Sequence, residues 1–240
     1  MILFDWGGTL VEVSRQAFAL RQGILSAGVI QDDEAGNEAA NRLREAFQTA
    51  DARASSGPPW AEFNMDEVVA EWLSTINYDA APGRLKNICD GLRQAWVGSL
   101  DPFPGALETV AQLKTRGYRL GLVSNCSVPP LYCRQELARQ GFSRLLDFAV
   151  FSSEIGFRKP SPEIYQEAIR QAFPDGRPAD LSNVLFVGDS PAYDVSAPAA
   201  LGMKTALVRC RHGIWPAADY DEARPYLHID AVSDLPALLD

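Results

Sequence analysis

Residues 1–10 read Met-Ile-Leu-Phe-Asp-Trp-Gly-Gly-Thr-Leu, and this stretch decides the fold. Its apolar run is typical of a buried strand, and the run stops at a single carboxylate, Asp5. The pair Gly7-Gly8 then predicts a turn. A strand that delivers one acidic side chain to a glycine-containing loop is a way to present a nucleophile. Asp5 is therefore the first candidate catalytic residue.

After residue 100, short apolar runs alternate with segments of helical periodicity. We predict strands over 118–123, 148–151, 184–187 and 205–208, and helices over 105–116, 130–140, 161–171 and 191–200. Strands that alternate with helices indicate a parallel sheet that is covered on both faces. The predicted fold class is therefore α/β, with a doubly wound parallel sheet. Ligands of such folds bind at the carboxyl ends of the strands.

Residues 13–100 differ from the rest, because helical periodicity runs through almost all of them. Breaks are predicted at 55–59, which reads Ser-Ser-Gly-Pro-Pro, and at Pro82-Gly83. We expect Asp66 to cap the helix that follows it. These patterns divide the chain into an α/β core, residues 1–12 and 101–240, and a smaller all-helical domain, residues 13–100.

Polar side chains follow the predicted strands at four places. They are Asp5, the pair Ser124-Asn125, Lys159, and the segment that holds Asp189 and Asp194. If the strands are parallel, all of these loops open at the same edge of the sheet. Each segment alone is more often a turn or a helix cap. Together, carboxylates, a hydroxyl and an ammonium suit phosphoryl transfer, in which positioning and charge stabilisation do most of the work.

The order of these segments resembles the four motifs of the haloacid dehalogenase (HAD) superfamily. The similarity spans nearly the whole chain and extends to connecting residues, Gly156-Phe157-Arg158-Lys159-Pro160 and Ala200-Leu201-Gly202-Met203. The helical segment after the first motif resembles the smaller cap type that many members carry there. The resemblance implies a Rossmann-like core with a helical cap. It also implies a hydrolase, and we expect a phosphatase that acts on a small phosphorylated metabolite.

The resemblance implies a role for each residue that matches a motif. Asp5 is expected to be the nucleophile that attacks phosphorus and forms an aspartyl-phosphate. Ser124 is expected to donate to the phosphoryl oxygens, with the backbone amide of Asn125 beside it. Lys159 is expected to supply the positive charge that holds nucleophile and phosphate together. The implied catalytic residues are thus Asp5, Ser124 and Lys159, and the implied substrate-binding residues are Ser124, Asn125 and Lys159.

The resemblance also implies a Mg²⁺ ion. Its expected ligands are one oxygen of Asp5, the backbone carbonyl of Gly7 and the carboxylate of Asp189. Asp194 is expected to belong to the same metal site, where it would orient Lys159 or a metal-bound water. A divalent cation is needed because these carboxylates alone would repel a phosphate dianion.

The first motif departs from the family pattern. Its usual form is Asp-x-Asp-Gly-Thr-Leu, and Gly7 stands where the second Asp is expected. In phosphatases of the family that Asp protonates the leaving oxygen and later activates water, help that is worth roughly 10²–10⁴-fold. Gly7 is compatible with a phosphatase of slow chemistry, or with one whose substrate has a leaving group that needs no acid.

Gly7 is also compatible with three proteins of a different kind. Phosphonoacetaldehyde hydrolases have Asp-Trp-Ala-Gly-Thr at this place and use a cap lysine to form an imine, but Lys86 is the only lysine in residues 13–100 and comes late in them. Haloacid dehalogenases also lack the second Asp, yet they act without a metal and do not need Asp189. A non-catalytic binding protein with this fold would have no reason to keep all four motifs.

The composition limits the partners. A net charge of −9 disfavours a nucleic-acid surface and an anionic membrane as partners. No apolar run approaches the ~18 residues of a membrane span, and the N-terminus has no signal-peptide pattern. The absence of a Cys-x-x-Cys pair favours reduced thiols and a cytoplasmic protein. The histidines, His212 and His228, fall in no motif and are assigned no catalysis. The cysteines are Cys89, Cys126, Cys133 and Cys210. The sequence predicts no oligomeric state.

Overall fold

The computed structural model of the protein describes residues 1–176, 178, 180–209 and 223–239. Its strands are β1 (Ile2–Phe4), β2 (Val11–Glu12), β3 (Asp101–Pro102), β4 (Leu120–Ser124), β5 (Phe148–Phe151), β6 (Leu185–Gly188), β7 (Lys204–Val208) and β8 (Leu227–Ile229). Six of them form one sheet in the order β5-β4-β1-β6-β7-β8, and every neighbouring pair in it is parallel. The α/β class with a parallel sheet, predicted from the alternation of strands and helices, is confirmed.

The first strand lies in the middle of this sheet. Leu3 pairs with Gly121 of β4 on one side and with Phe186 of β6 on the other. All of β1, β4 and β6 is buried, as expected for parallel strands that are covered on both faces. The chain builds the sheet to one side of β1 and then returns to build the other side.

The α-helices of the described residues cover this sheet and form the segment between β2 and β3. They are α1 (Gln16–Ser26), α2 (Asp33–Ser55), α3 (Met65–Thr75), α4 (Pro82–Gly98), α5 (Ala106–Thr115), α6 (Pro130–Gln140), α7 (Ser152–Ile155), α8 (Pro162–Ala172), α9 (Ala197–Ala200) and α10 (Leu235–Leu238). Helices α1–α4, which we call the helical insert, pack against one another through buried apolar faces. Leu20 and Ile24, one turn apart on α1, are both fully buried in this packing.

The predicted helix over 191–200 is wrong in its first half. Residues Pro191–Ser196 form a wider, π-helical turn, and only Ala197–Ala200 are α-helical. The side chain of Ser190 caps the turn by accepting from the backbone N of Tyr193 at 3.2 Å. A Cβ at Gly188 would lie 2.2 Å from Cγ of Asp194, so the turn folds Asp194 back against the end of β6.

The predicted cap of α3 is also wrong by two residues. Asn64 is the cap, because its Oδ1 accepts from the backbone N of Asp66 at 2.9 Å. Asp66 lies in the first turn of the helix and pairs with Arg93 of α4 instead. The strand predicted over 118–123 begins only at Leu120, since the N–H of Tyr118 closes the end of α5.

The short strands β2 and β3 were not predicted. They form an antiparallel pair in which Val11 lies opposite Pro102 and Glu12 lies opposite Asp101. The pair therefore joins the two points where the chain enters and leaves the helical insert. The division into a core of residues 1–12 and 101–240 and a cap of residues 13–100 stays a prediction. No helix in the described ranges is both long enough and apolar enough to cross a membrane.

The turn after β1 yields a stability prediction. Gly8 has φ = +81°, and a Cβ there would lie 2.6 Å from Oδ2 of Asp189. Gly7 lies outside the left-handed region, and its Cβ would meet only Cγ1 of Val13 at 3.1 Å. We expect Gly8→Ala to lower the free energy of unfolding by about 1–3 kcal/mol, the usual cost of overpacking. The matched Gly7→Ala should cost less than about 1 kcal/mol.

Chemical denaturation of the two variants and the wild type measures the difference. Equal stability of Gly8→Ala and Gly7→Ala would contradict the close approach between Gly8 and Asp189.

Candidate active site

The carboxyl ends of β1, β4 and β6 meet at one edge of the sheet, because these strands are parallel neighbours. Asp5 follows β1, Ser124 is the last residue of β4, and Asp189 follows β6. Lys159 reaches the same edge from the loop that follows α7. The structure therefore brings together side chains that the sequence places in four separate segments.

Lys159 lies at the centre of this group. Its Nζ donates hydrogen bonds to Oδ1 of Asp5 and to Oδ1 of Asp194, each at 2.7 Å. Its side chain is 3% exposed. Burial alone would lower the pKa of Lys159, but the negative charges of Asp194 and Asp5 outweigh burial and raise it. The amine is therefore a protonated group that links the loops after β1 and β6.

The side chain of Asn125 holds the backbone of Lys159. Its Oδ1 accepts from N of Lys159 at 2.7 Å, and its Nδ2 donates to O of Lys159 at 3.0 Å. The loop after β4 is thus fixed to the loop that carries the lysine. The sequence assigned only the backbone amide of Asn125 to the substrate, and the structure adds this positioning contact of its side chain.

Three buried carboxylates lie beside the lysine. Asp5, Asp189 and Asp194 each offer an oxygen, and these oxygens lie within 4.8 Å of one another. Burial raises the pKa of Asp194, while the charge of Lys159 opposes this rise and the charge of Asp5 adds to it. The backbone N of Ser190 donates to Oδ2 of Asp194 at 3.0 Å. Both oxygens of Asp194 therefore accept hydrogen bonds from the protein.

This donor set fits a hard divalent cation. Mg²⁺ and Ca²⁺ prefer oxygen ligands, and the cluster offers three carboxylates. Three carboxylates against one ammonium leave an excess of negative charge, which a cation would balance. These three Asp residues are therefore able to hold a metal. Gly7 lies in the turn after β1, and the role of its carbonyl stays a prediction.

Ser124 ends β4 with its side chain buried. Its Oγ lies 3.5 Å from the backbone O of Asn125, which is long for an O–H···O hydrogen bond. The hydroxyl thus keeps its capacity to donate to a ligand at the edge of the sheet.

A cleft of about 720 Å³ opens between the helical insert and this edge. One wall is a face of α2 that carries Arg44, Phe47 and Asp51, and another is the loop 125–127 after β4. Trp96 of α4 also lines the cleft, and its ring packs edge-on to Phe47 with centroids 5.5 Å apart. The volume is within the ~300–1,000 Å³ typical of small-molecule sites.

The charges on the cleft wall are not balanced. Asp51 forms an ion pair with Arg158, the residue before Lys159. Arg44 has no ion pair with any residue in the described ranges, and its Nε is buried there without a hydrogen-bond partner. Arg44 is therefore a cation of the cleft that the described part of the protein does not neutralise.

Sequence reasoning missed three charged residues close to this site. Arg158 belongs to a connecting segment of the motif pattern, which assigns no role to it, and the sequence assigned none to Arg44 or Glu62. The spacing of Arg44, Phe47 and Asp51 places them on one helical face, and this signal could have pointed to a cleft wall. The sequence pattern does not indicate a role for Glu62, because its partner Arg158 is 96 residues away in the chain.

The other candidates lie away from the site. Lys86 is exposed on α4, where it pairs with Asp90 of the same helix. His228 is exposed on β8, whereas His212 and Cys210 lie outside the described residues. The remaining cysteines, Cys89, Cys126 and Cys133, are free thiols.

Known proteins share both the sequence pattern and the fold. The family model of haloacid dehalogenase-like hydrolases matches residues 1–202. The chain is 26% identical to a glyceraldehyde 3-phosphate phosphatase of Methanopyrus kandleri over 98% of this chain and 97% of that protein. It is 35% identical to a glyceraldehyde 3-phosphate phosphatase of Methanothermobacter thermautotrophicus, a match that spans only 45% of each chain.

Solved structures show the same fold from end to end. The magnesium-bound HAD-hydrolase YfnB of Bacillus subtilis superposes with a TM-score of 0.70 over 100% of this chain and 97% of that chain, at 17% identity. The L-2-haloacid dehalogenase of Xanthobacter autotrophicus gives a TM-score of 0.65 over 99% and 97%, at 19% identity. Since the family model covers residues 1–202, most of the chain, the protein belongs to the haloacid dehalogenase-like hydrolases, as its four motifs predicted.

Proposed function

We propose that this hydrolase is a magnesium-dependent phosphatase, which hydrolyses a small phosphorylated metabolite through an aspartyl-phosphate on Asp5. The observation that carries the proposal is the buried ammonium of Lys159, which contacts Asp5 and Asp194 within one carboxylate cluster. A phosphoryl group that enters this edge would meet a nucleophile and a positive charge together. The relatives named phosphatases support the same reaction class.

The protein groups perform complementary tasks in this mechanism. An oxygen of Asp5 attacks phosphorus, and the bond to the leaving oxygen breaks as the aspartyl-phosphate forms. Lys159, the hydroxyl of Ser124 and the backbone amide of Asn125 donate to the phosphoryl oxygens. Asp194 keeps Lys159 charged and in place. Water then attacks phosphorus, the bond from phosphorus to the Asp5 oxygen breaks, and inorganic phosphate leaves with the water oxygen and its protons, which frees Asp5 for another cycle.

We assign the metal site to Asp5, Asp189, Asp194 and the backbone carbonyl of Gly7. When bound, Mg²⁺ supplies the positive charge that lets a phosphate dianion approach the carboxylates. The oxygen-only donor set of the three Asp residues supports this choice of cation.

The alternative reactions receive less support from the positions of their required groups. An imine mechanism of the phosphonoacetaldehyde-hydrolase type needs a lysine in the cleft, whereas Lys86 is exposed on α4 and does not line it. A metal-free dehalogenase has no use for Asp189, which is buried with two other carboxylates.

We also propose a cap of residues 13–100 over a core of residues 1–12 and 101–240. A cytoplasmic location, and a lack of nucleic-acid and membrane partners, stay predictions.

The substrate is proposed to carry a second negative charge. Arg44 is a cation on the cleft wall that no residue in the described ranges neutralises, and Phe47 and Trp96 provide apolar surface close by. A leaving group with an anionic substituent would satisfy both. The helical insert would then exclude water around the bound ester.

The first prediction of the phosphatase mechanism concerns the nucleophile and the metal. Asp5→Asn should abolish phosphate release from a panel of phosphoesters with Mg²⁺ while the circular dichroism spectrum is unchanged, since the amide has nearly the same shape but is a far weaker nucleophile. Asp189→Ala should weaken Mg²⁺ binding strongly in calorimetry. Halide release from 2-haloacids without Mg²⁺, or ligand binding with no turnover, would contradict the phosphatase assignment.

The second prediction concerns the missing acid. Aryl and acyl phosphates leave without a proton, so the wild type should favour them over alkyl phosphates. Gly7→Asp places a carboxyl two residues past Asp5 and should raise alkyl-phosphate hydrolysis by up to ~10²-fold. The backbone of Gly7 is not left-handed, and Val13 need move only slightly to admit a Cβ there. Gly7→Asn is the control of equal size without an acid.

A well-folded Gly7→Asp variant with the leaving-group dependence of the wild type would show that the missing acid does not limit the rate. Another protein group, or a water held by the helical insert, would then supply the proton.

The third prediction concerns Arg44. Arg44→Met should lower kcat/KM by about 10- to 100-fold for esters whose leaving group carries a carboxylate, the usual worth of a hydrogen bond to a charged group. Esters with neutral leaving groups should change little. Arg44→Lys keeps the charge and should retain part of the discrimination. Equal losses for charged and neutral esters in Arg44→Met would remove Arg44 from substrate selection.

A further inference from the structure

A segment of the helical insert is hydrogen-bonded to the loop that carries Lys159. Ala61, between α2 and α3, forms an antiparallel bridge with Phe157. Backbone hydrogen bonds run from N of Glu62 to O of Gly156 at 2.9 Å, and from N of Arg158 to O of Trp60 at 2.8 Å. The insert is thus attached to the core next to the central lysine of the site.

The carboxylate of Glu62 extends this attachment. Its side chain is 4% exposed, and its Oε1 accepts from Nη1 of Arg158 at 2.6 Å. The guanidinium of Arg158 is itself buried and lies 5.4 Å from the ring centroid of Phe63. Glu62 and Asp51 therefore fix the side chain of Arg158 together, and the backbone of Arg158 leads directly into Lys159.

The second oxygen of Glu62 acts on the other phosphate-binding loop. Oε2 accepts the hydroxyl proton of Ser152, at the start of α7. The lone pairs of the same Oγ can accept at the same time, and it accepts from the backbone N of Cys126 at 2.7 Å. Cys126 follows Ser124 and Asn125 directly. The carboxylate of Glu62 thus contacts Arg158, the residue before Lys159, directly. It contacts the loop after β4 through Ser152.

Stability alone is a poor reason for this arrangement. A buried ion pair gains little over apolar side chains of the same shape, because both charges lose their water. The hydrogen bonds of a buried pair do, however, restrict the geometry of the segments that carry it. Here those segments supply the hydroxyl of Ser124, the amide of Asn125 and the ammonium of Lys159.

We propose that Glu62 is a positioning residue of the active site, which acts through Arg158 and Ser152 to align the two loops that bind the phosphoryl group. The proposal rests on the phosphatase function proposed above. Glu62 itself does not touch the substrate. The helical insert then contributes to the chemistry in addition to covering the cleft, and the core without residues 60–62 would hold its phosphate-binding groups in a less defined arrangement.

The test compares Glu62→Gln with Glu154→Gln in the full chain with Mg²⁺. Glu154 is a matched control, because it is an exposed Glu on α7 that pairs with Arg134 of α6. We expect Glu62→Gln to lower kcat by about 10- to 100-fold, as expected for displaced reacting groups. KM should rise by a smaller factor, because only the hold on the phosphoryl group is weakened, while Arg44, Phe47 and Trp96 on the cleft wall are untouched. Glu154→Gln should behave as the wild type.

A second variant covers the case in which Glu62→Gln folds poorly. Ser152→Ala removes the hydroxyl that links Oε2 of Glu62 to the backbone N of Cys126 but leaves the ion pair of Glu62 with Arg158 in place, and it should also lower kcat with a smaller change in KM. If both variants keep the kcat of Glu154→Gln per folded molecule, with folded protein measured by circular dichroism, the positioning role is overturned.

Binding of inorganic phosphate to the Mg²⁺-loaded protein separates this proposal from the proposed function. If the wild type turns over no ester but binds phosphate, calorimetry should show weaker binding in Glu62→Gln than in Glu154→Gln, and equal binding overturns the role. If the wild type neither turns over esters nor binds phosphate, the phosphatase function has failed and the positioning role with it. Wild-type turnover that Glu62→Gln and Ser152→Ala leave unchanged overturns only the positioning role.

Discussion

The contact of Lys159 with Asp5 and Asp194 is the constraint on which the rest of the site depends. An ammonium that is almost fully out of water needs negative partners, and these two carboxylates come from loops after different strands. The contact exists only if β1, β6 and the loop beyond β5 are in the correct register. The order of strands in the sheet and the composition of the site are therefore coupled.

Close backbone approach supports the same constraint. Asp194 lies against Gly188 at the end of β6, and Asp189 lies against Gly8 in the turn after β1. Neither place has room for a Cβ. The carboxylates are thus located by the backbone as well as by their hydrogen bonds, which keeps like charges close together despite their repulsion. A bound cation would relieve that repulsion.

The sequence predicts the core of this protein well, because parallel buried strands are nearly continuous apolar runs. The four motif segments also lie where the alternation of strands and helices places them. The strands β2 and β3 were missed, because they have two residues each. A run of two residues is too short to show a periodic pattern. The turn over Pro191–Ser196 looks helical by composition, and its wider form depends on contacts with Ser190 and Gly188 that periodicity does not encode.

Side-chain partnerships over long separations were the least predictable part of the site. Asn64 and Asp66 are both good caps, and only the position of Arg93 on α4 shows why Asp66 is engaged elsewhere. The cleft wall on α2 could be suspected from spacing, but its charge balance depends on the pairing of Asp51 with Arg158. Local patterns predict elements, whereas the partners of charged groups depend on how those elements are packed.

The central place of β1 has a consequence for how the chain folds as it is made. Ile2 pairs with Leu120 and with Leu185, so β1 leaves the ribosome long before the two strands that pair with it. Pairings of such large sequence separation close long loops and slow the search for the native state. Helices α1–α4 can pack on one another earlier, because their contacts are closer in the chain. Until β4 and β6 emerge, the apolar segment Ile2–Phe4 is an unpaired strand, the kind of exposed surface that chaperones protect.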